Sequence, residues 1–532
     1  MKPLFSFSNT KKKPKHEEET TSVPSSRILT HSLAFNLQHL RDTIGQSSDV
    51  IFRRVNEPGI KPEIALVYIS GLVNQETLNQ DILLTLTKHP ALQEPDLSPE
   101  LMLAKMKDEV LAIGELSECK TFEVLHSMLF EGHTIILIDG TNLALSADTA
   151  GWEKRSISEP SSQGVTRGPK ESFNEDLRTG TSLMRRRIKS SDLRIEEYKI
   201  GQRTHTDIAL VYLKGIASDE VLGEIRRRLN AINTDAILES NYIEELIQDG
   251  SLTPFPTIQN TERPDALAGG VLEGQVGILI DGTPFALLAP STFFSFFQSS
   301  EDYYQRFDIS SFLRMIRFTS FFVSMMLPAL YIAITTFHQE MIPTTLLVSL
   351  AAQREGVPFP ALIEALMMEL TFDVLREAGV RMPRAIGPAI SIVGALVLGQ
   401  AAVQAGLVSA AMVIVVSFTA ICNLVIPAQV IANSIRLIRF LMMLIAGVLG
   451  LFGMMSFLIV LLIHMAGLRS FGVPYLSPVA PLTFRYWKDI FIRAPHSMMK
   501  IRPQIFAAQE ARRQASPSSK HASSSHHKQP ER

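Results

Sequence analysis

The sequence predicts an α+β chain that continues into an α-helical membrane domain: two duplicated α/β subdomains, then four to six spans. Three observations predict it. An uncharged stretch from Ala385 to Ile435, bracketed by Arg384 and Arg436, would be roughly 75 Å long as one helix, over twice the ~30 Å apolar core of a bilayer. It is expected to fold back as two spans, reversing near Gln404 to Ser409. Charged residues occur throughout the first 315 positions, yet Phe318 to Phe337 and Phe440 to Leu468 lack Lys, Arg, Asp and Glu. Finally, the charged half repeats itself.

The repeat is carried by three matches in order. Ile64-Ala-Leu-Val-Tyr68 returns as Ile208-Ala-Leu-Val-Tyr212, each followed closely by a glycine, Gly71 or Gly215. Ile136-Leu-Ile-Asp-Gly140 returns as Ile278-Leu-Ile-Asp-Gly282, and Ser48-Asp-Val-Ile has its counterpart in Ser191-Asp-Leu-Arg. Offsets of 142 to 144 residues imply duplicated subdomains. The short apolar runs, rich in Ile, Val, Leu and Tyr and closed by glycine, read as buried strands. Helical patterns lie between them, such as Asp219 to Leu229, with apolar positions three or four apart. The expected order is a disordered tail at 1–27, a first α/β subdomain at 28–147, a linker at 148–170 and a second subdomain at 171–290. The linker stretch, Asp148 to Phe173, is rich in Gly, Pro and Ser. The tail lacks the apolar groups needed to offset the entropy of ordering, as does the polar end of the chain.

An aromatic collar at 291–317 follows, with Phe293, Phe294, Phe296, Phe297, Tyr303, Tyr304, Phe307 and Phe312 and closing arginines Arg314 and Arg317. Rings beside cations suit a membrane interface, although the same rings could form a core. The transmembrane domain is expected at 318–482, and a basic, largely disordered tail at 483–532. Its first span is Phe318 to Phe337. Met341 to Gln353 is too short to cross and reads as a half-helix or re-entrant piece. Arg485, Lys488, Arg493, Lys500 and Arg502 place the C-terminal tail on the same, cytoplasmic side as the N-terminal domain, so the crossings should be even in number.

Composition narrows the chemistry. A net charge of −2 suggests neither a nucleic-acid binder nor a polyanion, and two cysteines, Cys119 and Cys422, offer no disulfide framework or paired metal site. Lys11 to Lys13 and Lys15 are not followed by an apolar segment, so the N-terminus does not read as a secretory signal. No phosphate-binding loop, zinc-protease or serine-hydrolase motif occurs, so no enzyme, cofactor or metal is expected. Asp139 and Asp281 read as Asp-Gly turn residues, not catalysts. His526 and His527 read as solvated tail residues.

Two features of the apolar half could carry function. The helical segment Phe359 to Val380 bears Glu364, Glu369, Asp373 and Glu377, and the last three fall within a stripe of about 80° at 100° per residue. Such carboxylates either face water and pair with Arg376 or Arg381, or line a cation path. Gly394, Gly399 and Gly406, with neighbouring alanines, give another helix a thin face for close packing. Gln400, Gln404, Asn423, Gln429 and His464 are expected to bond between helices.

The string Pro358-Phe-Pro-Ala-Leu-Ile-Glu-Ala-Leu-Met-Met-Glu-Leu-Thr-Phe-Asp-Val-Leu-Arg-Glu-Ala-Gly-Val-Arg-Met-Pro383 resembles the signature of the GerA-type spore germination receptors, specifically their A subunit. Arg167 to Arg178 running on to Ile188, Asn260-Thr-Glu-Arg-Pro-Asp265, and Ser391 to Gly399 with Ala401 to Gly406 match the same family. The resemblance spans roughly Ile28 to Arg493; Gly180 and Pro388 depart from its pattern. It implies a location in the spore inner membrane and assembly with B and C partner subunits. It also implies self-association into a homo-oligomer that supplies an ion-conducting path. On that reading Glu369, Asp373 and Glu377 draw cations to a pore lined near Val393 and Val397. The alternative is a non-conducting scaffold that gathers the B and C subunits.

Overall fold

The computed structural model describes residues 28–55, 62–92, 97–151, 159–160, 162–250, 252–382, 397–499, 502 and 506. The expected N-terminal tail, 1–27, falls outside these residues, as does the expected C-terminal tail apart from 483–499, 502 and 506. The chain divides into two compact units. One holds 28–39, 51–69 and 73–150; the other holds 40–50, 70–72 and everything from 151 onward.

The first unit is built on helix α1 (Leu33–Ile44, shared with the second unit at its C-terminal end) and strands β1 (Val50–Val55), β2 (Ile64–Ile69), β3 (Leu116–Cys119), β4 (His133–Ile138) and β5 (Ala144–Asp148). They form one sheet in the order β1-β2-β4-β5-β3. All six residues of β2 are buried, which is why its sequence is a continuous apolar run instead of an alternating one. One face packs Leu66, Ile136 and Leu145 against the helical turns at 78–110. Helix α2 (Phe122–Glu131) starts where Thr121 accepts from the Val124 amide and stops at Gly132, whose φ of +98° suits glycine.

The second unit repeats the plan. Helix α3 (Leu177–Arg187) precedes strands β6 (Leu193–Ile200) and β7 (Thr206–Leu213). Helices α4 (Asp219–Ala231) and α5 (Ser240–Ile247), strand β8 (Gln259–Thr261), helix α6 (Pro264–Glu273) and strands β9 (Val276–Ile280) and β10 (Ala286–Ala289) follow. The sheet order is β6-β7-β9-β10-β8, the same permutation as before, and its pairings are antiparallel.

The repeated Asp-Gly turns do the same task in both copies. Asp139 Oδ1 accepts from the Leu33 amide at 2.9 Å, and Asp281 Oδ1 from the Leu177 amide at 3.1 Å. Each aspartate thereby satisfies an orphan N–H at the first turn of the helix that opens its own repeat. The following glycine, at φ +90° or +87°, donates to the chain just ahead of that helix, to His31 O or Glu175 O. These turns thus anchor helix starts as well as reversing the chain. The described part of the linker is also held: Arg263, from the Asn260 to Asp265 motif, donates to Pro169 O and pairs with Asp265 at 2.7 Å. Tyr304 donates to the same Asp265 carboxylate and lies against Gly168.

One buried acid in this region gives a pH prediction. Glu244, on α5, is 8% exposed, and burial followed by repulsion from Glu239 and Glu245 pushes its carboxyl up to about 7. The folded form therefore holds a proton that the unfolded chain releases at its ordinary value of 4.5. Full stability is present below that value and is lost as pH rises through about 7, by roughly 3 kcal/mol for this group. Glu244→Gln should flatten this loss in melting curves taken from pH 5 to about 8. Parallel curves for the two proteins would refute it.

Beyond β10 the collar turns inward. Phe293, Phe294, Phe296 and Phe297 are buried and pack with Phe255, Phe321 and Tyr475. The membrane-interface reading of these four rings is corrected: they form an intramolecular core, whereas Phe307 and Phe312 remain exposed. Arg314 and Arg317 are likewise interior. Both pair with Asp302 at 2.8 Å, and Arg314 also reaches Asp489 at 2.9 Å.

Helix α7 (Phe307–Phe337) leads into α8 (Thr344–Arg354), α9 (Ala361–Arg381), a helical stretch at 397–404, α10 (Ala410–Val425) and α11 (Gln429–Gly467). By length and composition two of these, α7 and α11, suffice to cross a membrane, fewer than the four to six spans expected; α10 has 16 residues. α8 buries none of its 11 residues. The expected break at Gln404 to Ser409 is present: Gly406 has φ +69°, and Ser409 caps α10 by accepting from the Met412 amide.

α11 contains a turn that the hydropathy pattern does not reveal. Gly450 sits at φ 57°, ψ −145°, and a Cβ on Gly453 would lie 2.8 Å from Ile445 Cγ2. Residues eight apart on a straight helix are about 12 Å apart, so the chain folds back here. The tip is wedged by Phe337 and His338 at the end of α7. The returning arm ends against the second sheet's loops, where His464 Nε2 lies 2.9 Å from Thr253 Oγ1 and Ser470 Oγ donates to Thr257 O.

Candidate functional site in the apolar helices

α9 places its acids every four or five residues, so they follow one side of the helix. Their surroundings differ sharply. Glu364 is fully buried and accepts from both the Ser409 amide and hydroxyl at 2.5 Å, with Arg354 Nε 4.0 Å away. Glu369 is 1% exposed and meets Arg439, itself 2% exposed, at 2.8 Å. Asp373 lies 3.2 Å from Arg436. Glu377 is exposed and pairs within its own helix with Arg381 at 2.7 Å. Only this last residue resembles a water-facing carboxylate on an interfacial helix.

The two arginines come from the first arm of α11. Their spacing of three puts them on one face, matching the four-residue spacing of Glu369 and Asp373. Arg439 additionally reaches Ser324 O of α7 at 3.4 Å. Arg376, on α9, is accepted by Asn423 of α10 at 3.2 Å when the amide is oriented to satisfy both neighbours, and that amide then donates to Ala432 O. A ladder of ionic and polar contacts thus ties α7, α9, α10 and α11 together amid apolar side chains. Such contacts replace lost hydration only while both partners stay in place.

By sequence alone Arg436 and Arg439 read as bounds of spans. The structure puts them within one continuous arm, as partners of the acidic stripe. The available signal was their spacing of three beside a run otherwise free of charge. By sequence Glu364 reads only as one acid of the segment; in the structure it is the acceptor that clamps the start of α10.

The predicted packing residues are placed as follows. Gly399 is buried beside Val413 of α10, 3.7 Å from a would-be Cβ, and Gly406 breaks the helix, its would-be Cβ 3.2 Å from Gly356 O. Val397 is 56% exposed, as a residue facing lipid, water or another chain would be. Val393 and Gly394 lie outside the described residues. No group of three or more His, Cys, Asp or Glu suited to a metal occurs among the described residues.

A family model described as Bacillus/Clostridium GerA spore germination protein matches residues 38–505. The chain is 47% identical to spore germination protein KA of Bacillus subtilis (strain 168) over 489 residues, covering 92% of this chain and 89% of that protein. It is 41% identical to the uncharacterized membrane protein YfkQ of the same organism over 482 residues, 90% of this chain and 92% of that one. Spore germination protein GerLA of Bacillus cereus is 39% identical over 475 residues, 89% of this chain and 96% of that protein. Among solved structures, the N-terminal domain of the A subunit of the Bacillus megaterium spore germinant receptor GerK3 is 37% identical. It covers 51% of this chain and 98% of its own, with a TM-score of 0.39.

Proposed function

Because the chain belongs to the GerA family of spore germination proteins, we propose that it is the A subunit of a nutrient germinant receptor. It would sit in the spore inner membrane as a multi-pass protein, with its α/β half on the cytoplasmic side and B and C subunits as partners. Copies of the chain would enclose a cation path whose opening starts germination. Four to six crossings, even in number, fit the charge pattern of the tails. The segment after β10 that leads toward α7 meets the segment that follows α11, Ser291 N donating to Ser470 Oγ and Ser470 Oγ to Thr257 O of the second α/β subdomain, which also favours an even count.

The observation that carries the channel reading is the buried ladder Glu369–Arg439 and Asp373–Arg436. Ionisable groups inside apolar helices are costly and are kept where they serve a path or a switch. Here the stripe is held by arginines, so its inner acids would act as a latch. Glu377, at the exposed end, and Val397 are the residues left to meet ions or line the path. Val393 belongs to the same proposed lining, and Gly394, Gly399 and Gly406 to the packing of that helix.

The test is a planar-bilayer recording of the full chain, alone and with its B and C subunits, in potassium chloride. Current that falls with Glu377→Gln and changes with Val397→Phe supports conduction by this subunit. Silence of the A chain in every combination, with germination still dependent on it, would make it the scaffold instead.

A further inference from the structure

The repeat builds one interface inside the chain, and the surfaces that correspond to its two halves are exposed elsewhere among the described residues. The internal copy joins α3 to the segments 45–49 and 70–71. Arg185, 1% exposed, donates to Asp49 through Nε at 2.7 Å and Nη2 at 2.9 Å, and to Ser47 Oγ at 2.7 Å. Arg178 donates to Ser70 Oγ at 2.8 Å. Gly71 is pressed against Ser182, so that a Cβ there would sit on its hydroxyl. Ser48 and Ile195 complete the seam: Ser48 N donates to Ile195 O, and Ile195 N to Ser47 Oγ, at 3.0 Å each.

Each residue has its counterpart one repeat away. Ser47 and Asp49 correspond to Ser190 and Asp192, Gly71 to Gly215, and Arg185 of α3 to Arg41 of α1. The counterparts share the backbone geometry: Ser70 N donates to Asp49 O, and Lys214 N donates to Asp192 O. Gly71 and Gly215 have φ +91° and +82°. Their surroundings are opposite. Asp192, Lys214 and Gly215 are exposed, and among the described residues nothing lies within 4 Å of a Cβ built on Gly215. They border a notch of about 430 Å³ with Ser190, Leu272 and Arg502. On α1, Gln38 and Arg41 are exposed, where their counterparts Ser182 and Arg185 are buried.

We propose that α1 of a second copy of this chain docks on the Asp192–Gly215 notch, with Arg41 taking the place toward Asp192 that Arg185 takes toward Asp49. Opposite charges face one another, and the shape is one the chain already builds once. The contact is head-to-tail, so repetition closes a ring or runs on as a filament. Copies embedded in one membrane with one orientation are related by rotation about its normal, which favours the ring. The inference rests on the self-association proposed above and names its surface.

The test uses the full chain in its membrane with Cys119 and Cys422 replaced by serine. Arg41→Cys with Asp192→Cys, treated with a short bis-maleimide, should give a ladder of products beyond the dimer. The two single-cysteine chains, co-expressed, should stop at the dimer. In detergent, Arg41→Asp or Asp192→Arg alone should lower the particle mass measured by light scattering, and the two together should restore it. A high mass without the ladder would overturn this interface while leaving self-association intact. Dimers from Asp192→Cys alone, or cross-links from position 192 only to the chain's own C-terminal segment, would overturn it too. A monomer under all conditions would remove self-association itself.

Discussion

Arg439→Ala will destabilise the helical region by about 3–5 kcal/mol, because it strands the Glu369 carboxylate among apolar side chains. Glu369 is 1% exposed and its Oε1 has no hydrogen-bond partner, so Arg439 is its main compensation. The companion variant Arg439→Met with Glu369→Leu will recover most of that loss, since it removes both charges and fills the space. Melting of the purified protein in detergent separates the two. If the single and double variants melt together, the pair is not the buried latch described. The comparison also bears on function: a latch whose charges are absent should open more readily, so the double variant is expected to raise basal potassium leak. Neutralising Glu369, Asp373 and Glu377 together is a poorer experiment, because it leaves Arg436 and Arg439 buried without partners.

The second large effect is expected at Arg314. Its guanidinium is fully buried and joins Asp302, Asp489 and the Asp489 carbonyl, while Arg317 shares Asp302 from the next turn of α7. This knot ties the start of α7 to the segment around residue 489. Arg314→Ala removes the buried counter-charge of Asp489 and one of the two that Asp302 has, and should cost about 3–5 kcal/mol. Arg314→Lys should recover little, because one ammonium cannot reproduce a planar fork aimed at several acceptors. Limited proteolysis gives a local readout: cleavage near residues 483–499 should accelerate in both variants. Unchanged protection of that segment would show that the aromatic packing of Phe294, Phe318 and Phe491 holds it without the ion pairs.

Much of the architecture was legible because local chemistry and burial agreed. β2 and β7 are continuous apolar runs closed by glycine, and strands buried on both faces must look like that. The duplication was visible in three matching strings, and the sheets repeat the same strand order. The helix break at Gly406 was visible from the length of the uncharged stretch. The phenylalanines of 293–297 were harder, since an aromatic run beside arginines has the same composition in a membrane belt and in a core. Asp302 and Asp489 decide between them: the arginines turn inward to reach those acids and carry the rings with them.

What the sequence by itself determined is the set of local obligations: where strands and helices form, which segments shun water, and which turns need glycine. Only the tertiary structure decided the partners. Arg436 and Arg439 look like ends of a span because a lone charge in apolar surroundings is costly; they are interior because Glu369 and Asp373 meet them from a helix some 70 residues away. Gly450 looks like one small residue among many, yet it reverses the chain because Phe337 and His338 fill the tip. Pairing energies depend on distance between residues remote in sequence, and that distance exists only once the helices have packed.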